Sequence, residues 1–187
     1  MRKIIISLHT TLDGFVAGPA GEMDWIRFDD ELFDFVGTFT QKADTALYGR
    51  VTYEMMEGYW PTAADKPNAT KHDKEHAQWY NTVNKVVLSN TIKTPKEKTR
   101  FIGGDVISAI KELKKESGKD ILIFGSPSAS HALMEQNLID EFWLFINPIL
   151  LGKGIPVFFN IKERTKLAYK ETKNFACGVT ALHYSLA

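Results

Sequence analysis

The chain has 187 residues, 44% of them hydrophobic, with 23 lysines and arginines balanced by 23 aspartates and glutamates. That length fits one domain, residues 1–187, with a substantial core. The zero net charge argues against nucleic acid or an anionic membrane as the main partner, because both call for a basic excess. The single cysteine, Cys177, excludes an intrachain disulfide and a cysteine-based metal site, and suits a reducing cytoplasm.

The opening MRKIIISLHTTLDG has too short an apolar run for a signal peptide and reads as a first strand, Lys3–His9. No apolar stretch reaches membrane-spanning length. Residues 10–24, with three glycines and a proline, read as a long loop. Asp29 or Asp30 can cap a helix carrying Leu32, Phe33, Phe35, Val36 and Phe39 at helical spacing. A short strand, Thr45–Tyr48, stops at Gly49, and Arg50–Glu57 reads as a helix. Residues 60–70 read as a loop, and TKHDKEHAQWYNTV as a polar surface helix.

Lys85–Leu88 is a strand ending at SNT, and KTPKEKTR is a basic turn before the short strand Phe101–Ile102. Asp105 can cap the helix VISAIKELKKE, whose apolar face is Ile107, Ile110 and Leu113. Ile121–Phe124 is a buried strand that breaks at Gly125, with Ser126 as N-cap and Pro127 as first helical residue. Glu141–Ile146 is a strand, NPILLGKGIPVF a Gly/Pro-rich connection, and the chain closes on a hairpin near 165–174 and 178–186. Strands alternating with helices, then following one another, predict an α/β fold. Its sheet is mostly parallel with helices on both faces and an antiparallel C-terminal edge hairpin.

Three strand-to-loop breaks share a chemistry: YGRVT (48–52), LSNT (88–91) and FGSPSAS (124–130). In a parallel sheet the carboxyl ends of strands share one edge, where ligands bind. Helix-start N–H groups hold phosphate oxygens. Arg50 adds a positive fork, and Thr52, Ser89, Asn90, Ser126 and Ser128 add donors. Each break alone also reads as an ordinary turn, with Arg50 on the surface. Neither GxGxxG nor GxxxxGK[ST] occurs, and GKGIP fails because Pro156-Val-Phe-Phe does not start a helix.

The pieces SLHTTLDGFVAGPAGEMDW, LYGRVTYE, VVLSNT, DILIFGSPSASHALMEQNLIDEF and NPILLGKGIPVF, in that order, resemble the dihydrofolate reductase-like family. The branch is that of the C-terminal reductase domain of bifunctional riboflavin-biosynthesis deaminase/reductase proteins. The resemblance implies NADPH binding. Gly49, Arg50, Thr52, Ser89 and Asn90 then hold the phosphate region, Gly125, Ser126 and Ser128 the diphosphate, and Val16, Ala17 and Gly18 lie near the nicotinamide. Relatives have a more glycine-rich turn where this chain has Pro127. The basic turn at Lys93, Lys96, Lys98 and Arg100 is either a 2′-phosphate site or a solvated loop.

Hydride transfer needs no protein nucleophile, and no catalytic triad is visible. His72 and His76 have zinc-compatible spacing, but HDKEH lacks the HExxH order and a third ligand, so no metal is expected. The candidate acids are Asp13, in a loop, Asp24, and Asp30, near the start of a helix. Trp25 resembles the tryptophan at the active-site mouth of dihydrofolate reductases. An acid held among Trp25, Phe28 and Phe33 has a raised pKa and can protonate a ring substrate; an N-cap is the competing role for Asp30. The deaminase signature H-x-E…P-C-x-x-C is absent. The expected substrate is a small heterocycle, a pteridine or a ribosylaminopyrimidine. The alternatives are a non-catalytic nucleotide-binding protein and an α/β interaction domain. The apolar EFWLFINPILL, with the relatives' habit of pairing, points to a homodimer; a buried parallel strand explains the same residues.

Overall fold

The computed structural model describes every residue except Lys93 and Pro95. In chain order the elements are β1 (Ile4–Thr11), β2 (Phe15–Ala17), α1 (Asp30–Lys42), β3 (Ala43–Gly49), α2 (Arg50–Glu57), α3 (Lys71–Thr82), β4 (Asn84–Leu88), β5 (Thr99–Ile102), α4 (Val106–Lys115), β6 (Asp120–Phe124), α5 (Pro127–Met134), β7 (Glu141–Asn147), β8 (Ile155–Pro156), β9 (Leu167–Asn174) and β10 (Thr180–Leu186). The chain forms two compact units. The first is Met1–Arg2 with Asp30–Leu122; the second is Lys3–Asp29 with Ile123–Ala187.

In the first unit the strand order is β5-β4-β3-β6, and every pairing is parallel. Parallel strands are covered on both faces and therefore read as continuous apolar runs. Ala46, Leu47, Tyr48, Val86, Val87, Ile121 and Leu122 are all buried. Burying such side chains contributes roughly 1.5–3 kcal/mol each. α4 turns Ile110 and Leu113 inward, and Asp105 accepts from Ser108 N at 3.1 Å, as its spacing predicts. α3 opens on a capping box between Thr70 and Asp73. Within the expected loop 60–70, residues Trp60–Asp65 form a 3₁₀ helix with Pro61 in its first turn. Arg2 is buried and paired with Asp44; its Nη2 also donates to Thr45 Oγ1 at 2.6 Å.

In the second unit the order is β6-β1-β7-β10-β9. β1 and β7 run parallel from Ile5↔Glu141 to Thr11↔Asn147, while β7–β10 and β10–β9 are antiparallel. The C-terminal hairpin is therefore found, turning through Gly178 at φ +87°. β7 supplies the apolar run of EFWLF from a position between two neighbours, and Phe142, Trp143, Leu144 and Phe145 are buried. The mostly parallel α/β sheet with an antiparallel edge is the fold the sequence predicts. The loop expected over 10–24 is shorter than predicted. β1 extends to Thr11, and β2 pairs with β8 across 138 residues of chain. Gly154 makes that pairing: a Cβ there would collide with the Ala17 carbonyl.

Candidate functional site

In the first unit β3 and β4 are parallel, so the breaks after them follow the carboxyl ends of strands running the same way; the third break follows β6. In the first unit Gly49 is in register with Leu88, which places Arg50 and Ser89 at neighbouring strand ends. Gly49 has φ −76° and ψ 161°, extended backbone that any residue adopts, so the turn itself does not require glycine there. Arg50 Nη1 donates to Glu54 Oε2 at 2.7 Å along the outside of α2. Thr52 is half-buried in the same helix.

Ser89 and Asn90 fold their own turn. Ser89 Oγ accepts from the N–H of Thr91 at 3.2 Å and of Ile92 at 3.1 Å. Asn90 Oδ1 accepts from Gly104 N at 2.9 Å, and a Cβ on Gly103 would lie 2.7 Å from that oxygen. The glycine pair after β5 is thus shaped by the break after β4. Asn90 keeps its amide nitrogen as the donor it can offer a ligand.

In the second unit Gly125 has φ +66°, and its N–H donates to Ser7 O at 3.3 Å. Ser126 follows at φ 54°, ψ 58°, and is buried. It occupies the N-cap position, but its side chain makes no capping hydrogen bond. A capping serine reaches the first-turn N–H groups from extended backbone, and the left-handed conformation removes that reach. Ser128 is exposed in the first turn of α5. Val16 and Ala17 are buried in β2, and Gly18 N donates to Glu22 O at 2.9 Å.

The helix starts divide into two kinds. α1 carries Asp30 and Glu31 in its first turn, α3 has its capping box, and α4 is capped by Asp105. α2 and α5, the two that follow a strand break with glycine, have neither a side-chain cap nor an acidic residue in the first turn. α2 instead begins with a cation. Helix N-termini favour negative charge.

The candidate acids have distinct environments. Asp13 accepts from Thr11 Oγ1 at 2.6 Å, from Gly152 N at 2.7 Å and from Leu151 N at 3.1 Å. The Thr11 bond, then the Gly152 bond, hold its carboxyl below the usual range, so it stays ionised and ties the 151–152 turn to the end of β1. Asp30 is fully exposed and lies 3.3 Å from His72 Nε2. The enclosure expected around it is not found: Phe33 stacks on His72, ring centroids 4.6 Å apart, and the carboxylate faces solvent. Trp25 Nε1 donates to Glu22 O at 3.1 Å. Asp34, His72 and Glu75 offer ligand atoms within 4.8 Å of one another, but Lys71 Nζ already pairs with Asp34 at 3.0 Å, which makes an ion-pair network of the group.

The basic turn belongs elsewhere. Lys93 lies outside the described residues. Lys96, Lys98 and Arg100 line a cleft with Thr45, Asn84 and Lys85, at the amino ends of β3, β4 and β5. In the first unit this is the edge opposite Gly49 and Ser89, so these three cations do not serve the 2′-phosphate role weighed for them beside that edge.

Sequence reasoning missed Asn147. Fully buried, it accepts from Arg27 N at 2.8 Å and donates to Phe145 O at 3.0 Å, with Thr10 O at 3.4 Å and His9 Nδ1 at 3.3 Å. His9 stacks on Phe145 at 5.1 Å, and burial pushes its pKa down to about 4, so the ring is neutral. The one available signal was an asparagine closing an apolar strand before a proline.

The model of the RibD C-terminal domain matches residues 2–181. The chain is 34% identical over 183 residues, 98% of this chain and 94% of the other, to "Uncharacterized protein YyaP" of Bacillus subtilis (strain 168). Its fold is similar to that of a putative riboflavin biosynthesis protein from Shewanella sp. PV-4, with TM-score 0.76, 21% identity, and coverage of 100% and 99% of the two chains. It is also similar to a Thermotoga maritima diaminohydroxyphosphoribosylaminopyrimidine deaminase/5-amino-6-(5-phosphoribosylamino)uracil reductase, with TM-score 0.69 and 16% identity; all of this chain matches 57% of that one. With the parallel sheet, its antiparallel edge and the family model spanning nearly every residue, the chain belongs to the RibD C-terminal domain family.

Proposed function

We propose that this protein is an NADPH-dependent reductase of a small heterocyclic substrate, of pteridine or ribosylaminopyrimidine type, acting in the cytoplasm. The observation that carries the reading is the pair of uncapped, acid-free helix starts at α2 and α5, each directly after a strand end. A dinucleotide brings the phosphate charge that both lack. Family membership supports the same reading.

Bound NADPH would supply the hydride. The protein's tasks are then to bind, orient and exclude water. Arg50, Thr52, Ser89 and Asn90, with the backbone at Gly49, are assigned to the cofactor's phosphate region. Gly125, Ser126 and Ser128 are assigned to its diphosphate, and Val16, Ala17 and Gly18 to the nicotinamide. Asp13 is a positioning residue that holds the 151–152 turn. Trp25 is assigned to the substrate ring. Asp30, open to water and beside His72, is the carboxylate assigned to proton delivery. A homodimer belongs to the proposal, supported by the exposed Phe159, Ile161 and Tyr169 of the second unit; sedimentation at micromolar concentration checks it.

Titrating the four tryptophans by fluorescence with NADPH and NADH tests the cofactor, and loss of reduced-nicotinamide absorbance with a panel of pteridines and ribosylaminopyrimidines tests the reaction. Saturable NADPH binding with turnover of one of these rings is the expected result. Binding without any turnover leaves a nucleotide-binding protein, and no binding of either cofactor removes the proposal.

A further inference from the structure

The net-neutral chain gathers positive charge in one place. In the first unit a cleft of about 410 Å³ opens at the amino ends of β3, β4 and β5. Among the described residues five cations and two carboxylates line it, an excess of three positive charges. Internal pairing leaves much of that excess in place. Arg2 is committed to Asp44, and Arg100 to Glu116 at 2.9 Å, which also neutralises the carboxyl end of α4 where it borders the cleft. Lys96 is paired with Glu57 at the rim.

Lys85 and Lys98 are different. Among the described residues neither has a carboxylate at ion-pair distance. Their backbones are joined, Lys85 N donating to Lys98 O at 2.7 Å, so two like charges issue from adjacent positions. Lys85 is 6% exposed, and its ammonium lies 4.4 Å from the centre of the Tyr80 ring. Burial first, and the charge of Lys98 second, push its pKa down. A buried ammonium beside a second cation is costly, and an anion bridging the two offsets that cost.

We propose that this cleft binds a small polyphosphate anion of at least two phosphoryl groups, on the edge opposite the strand ends assigned to the cofactor. Its volume exceeds the needs of one oxyanion, and its charge excess matches a phosphate chain. Among the described residues that line it, Val86 and Leu113 are the only apolar ones and none is aromatic, so they offer no platform for a base. Recognition is of the phosphate chain alone. This inference does not depend on the reductase reading.

Calorimetric titration with inorganic tripolyphosphate tests it on the full chain. Lys98→Asn removes one charge and suits the left-handed backbone at φ 54°. Lys85→Met removes the buried one at similar length. With NADPH present to fill the cofactor edge, the expected result is saturable binding that each variant weakens about tenfold and that salt weakens further. Near-ultraviolet circular dichroism confirms that the variants are folded, and Lys98→Asn, at an exposed site, answers if Lys85→Met does not fold. Absence of binding at millimolar tripolyphosphate, or unchanged affinity in Lys98→Asn, overturns the proposal.

Discussion

Replacing Arg50 by alanine separates its two roles by size. In the structure Arg50 makes an i,i+4 ion pair with Glu54 at 2.7 Å, and the two side chains are 44% and 50% exposed. Pairs of this kind contribute about 0.3–0.5 kcal/mol. For a chain of this length that moves the melting temperature by roughly 1–2 °C. A guanidinium on a phosphate is a different matter: a hydrogen bond between charged groups contributes about 1.5–3 kcal/mol. At about 1.4 kcal/mol per tenfold, NADPH affinity falls roughly 10- to 100-fold. Arg50→Lys keeps the charge without the fork and falls in between. Glu54→Gln releases Arg50 and leaves affinity equal or slightly tighter. The assay is tryptophan quenching by NADPH at low and moderate salt, beside thermal melts of the same samples. An Arg50→Ala protein that binds NADPH within twofold of wild type refutes the phosphate role and leaves Arg50 a surface residue of α2.

Asn147→Leu keeps the volume but removes the partner of backbone groups on Arg27, part-buried, and on Phe145 and Thr10, buried. With about 1–3 kcal/mol per unsatisfied group, urea denaturation should show a loss of roughly 2–5 kcal/mol; a change below about 0.5 kcal/mol would mean the amide does not hold these groups together. Asp13→Asn destabilises at neutral pH, because the carboxylate's folded pKa is depressed by Thr11 and Gly152. That contribution is present above the unfolded carboxylate value and disappears as pH falls through the folded one, so melts of variant and wild type should converge below about pH 4. His9 behaves in the opposite sense to a salt-bridged histidine. Its folded pKa of about 4 lies below the ordinary 6.5, so stability is full above 6.5 and declines as pH falls toward 4. The decline is roughly 3 kcal/mol for this group. His9→Phe, which keeps the stacking on Phe145, should flatten part of the acid limb, the rest belonging to His76, whose pKa burial also lowers to about 4. An unchanged acid limb would show that His9 is protonated in the folded state.

Local chemistry was legible where one segment decided its own form. α2 runs Arg50–Glu57 as its composition predicts, Asp105 caps α4, and the C-terminal hairpin appears as two consecutive strands. What escaped was decided by distant partners. β2 has three residues and β8 two, too few for any period, and they pair because Gly154 admits the Ala17 carbonyl. Asp30 shows the same limit in the candidate site. Its neighbours in sequence are aromatic, but Phe33 turns to His72, so hydrophobic composition nearby did not become burial of the carboxylate.

The basic turn carries the argument one step further. Leu88 ends β4 and Thr99 starts β5, and the two strands are parallel, so the connection between them must travel back along the strand. Five residues of strand at about 3.3 Å each make that journey roughly 16 Å. Residues at the start of the connection, Ser89 and Asn90, therefore serve the carboxyl edge of the first unit, and residues at its end, Lys96 and Lys98, serve the amino edge. Eight residues lie between Ser89 and Lys98, and read along the chain they look like one polar loop beside one ligand. Parallel pairing splits them into two chemistries: hydroxyl and amide groups at one edge, and ammonium groups at the other, Lys96 paired with Glu57 and Lys98 with no carboxylate at ion-pair distance among the described residues. The same reasoning applies to any strand pair joined without a helix. The direction of the second strand decides which edge receives the charge, so Lys98→Asn and Arg50→Ala should have separable effects on tripolyphosphate and on NADPH.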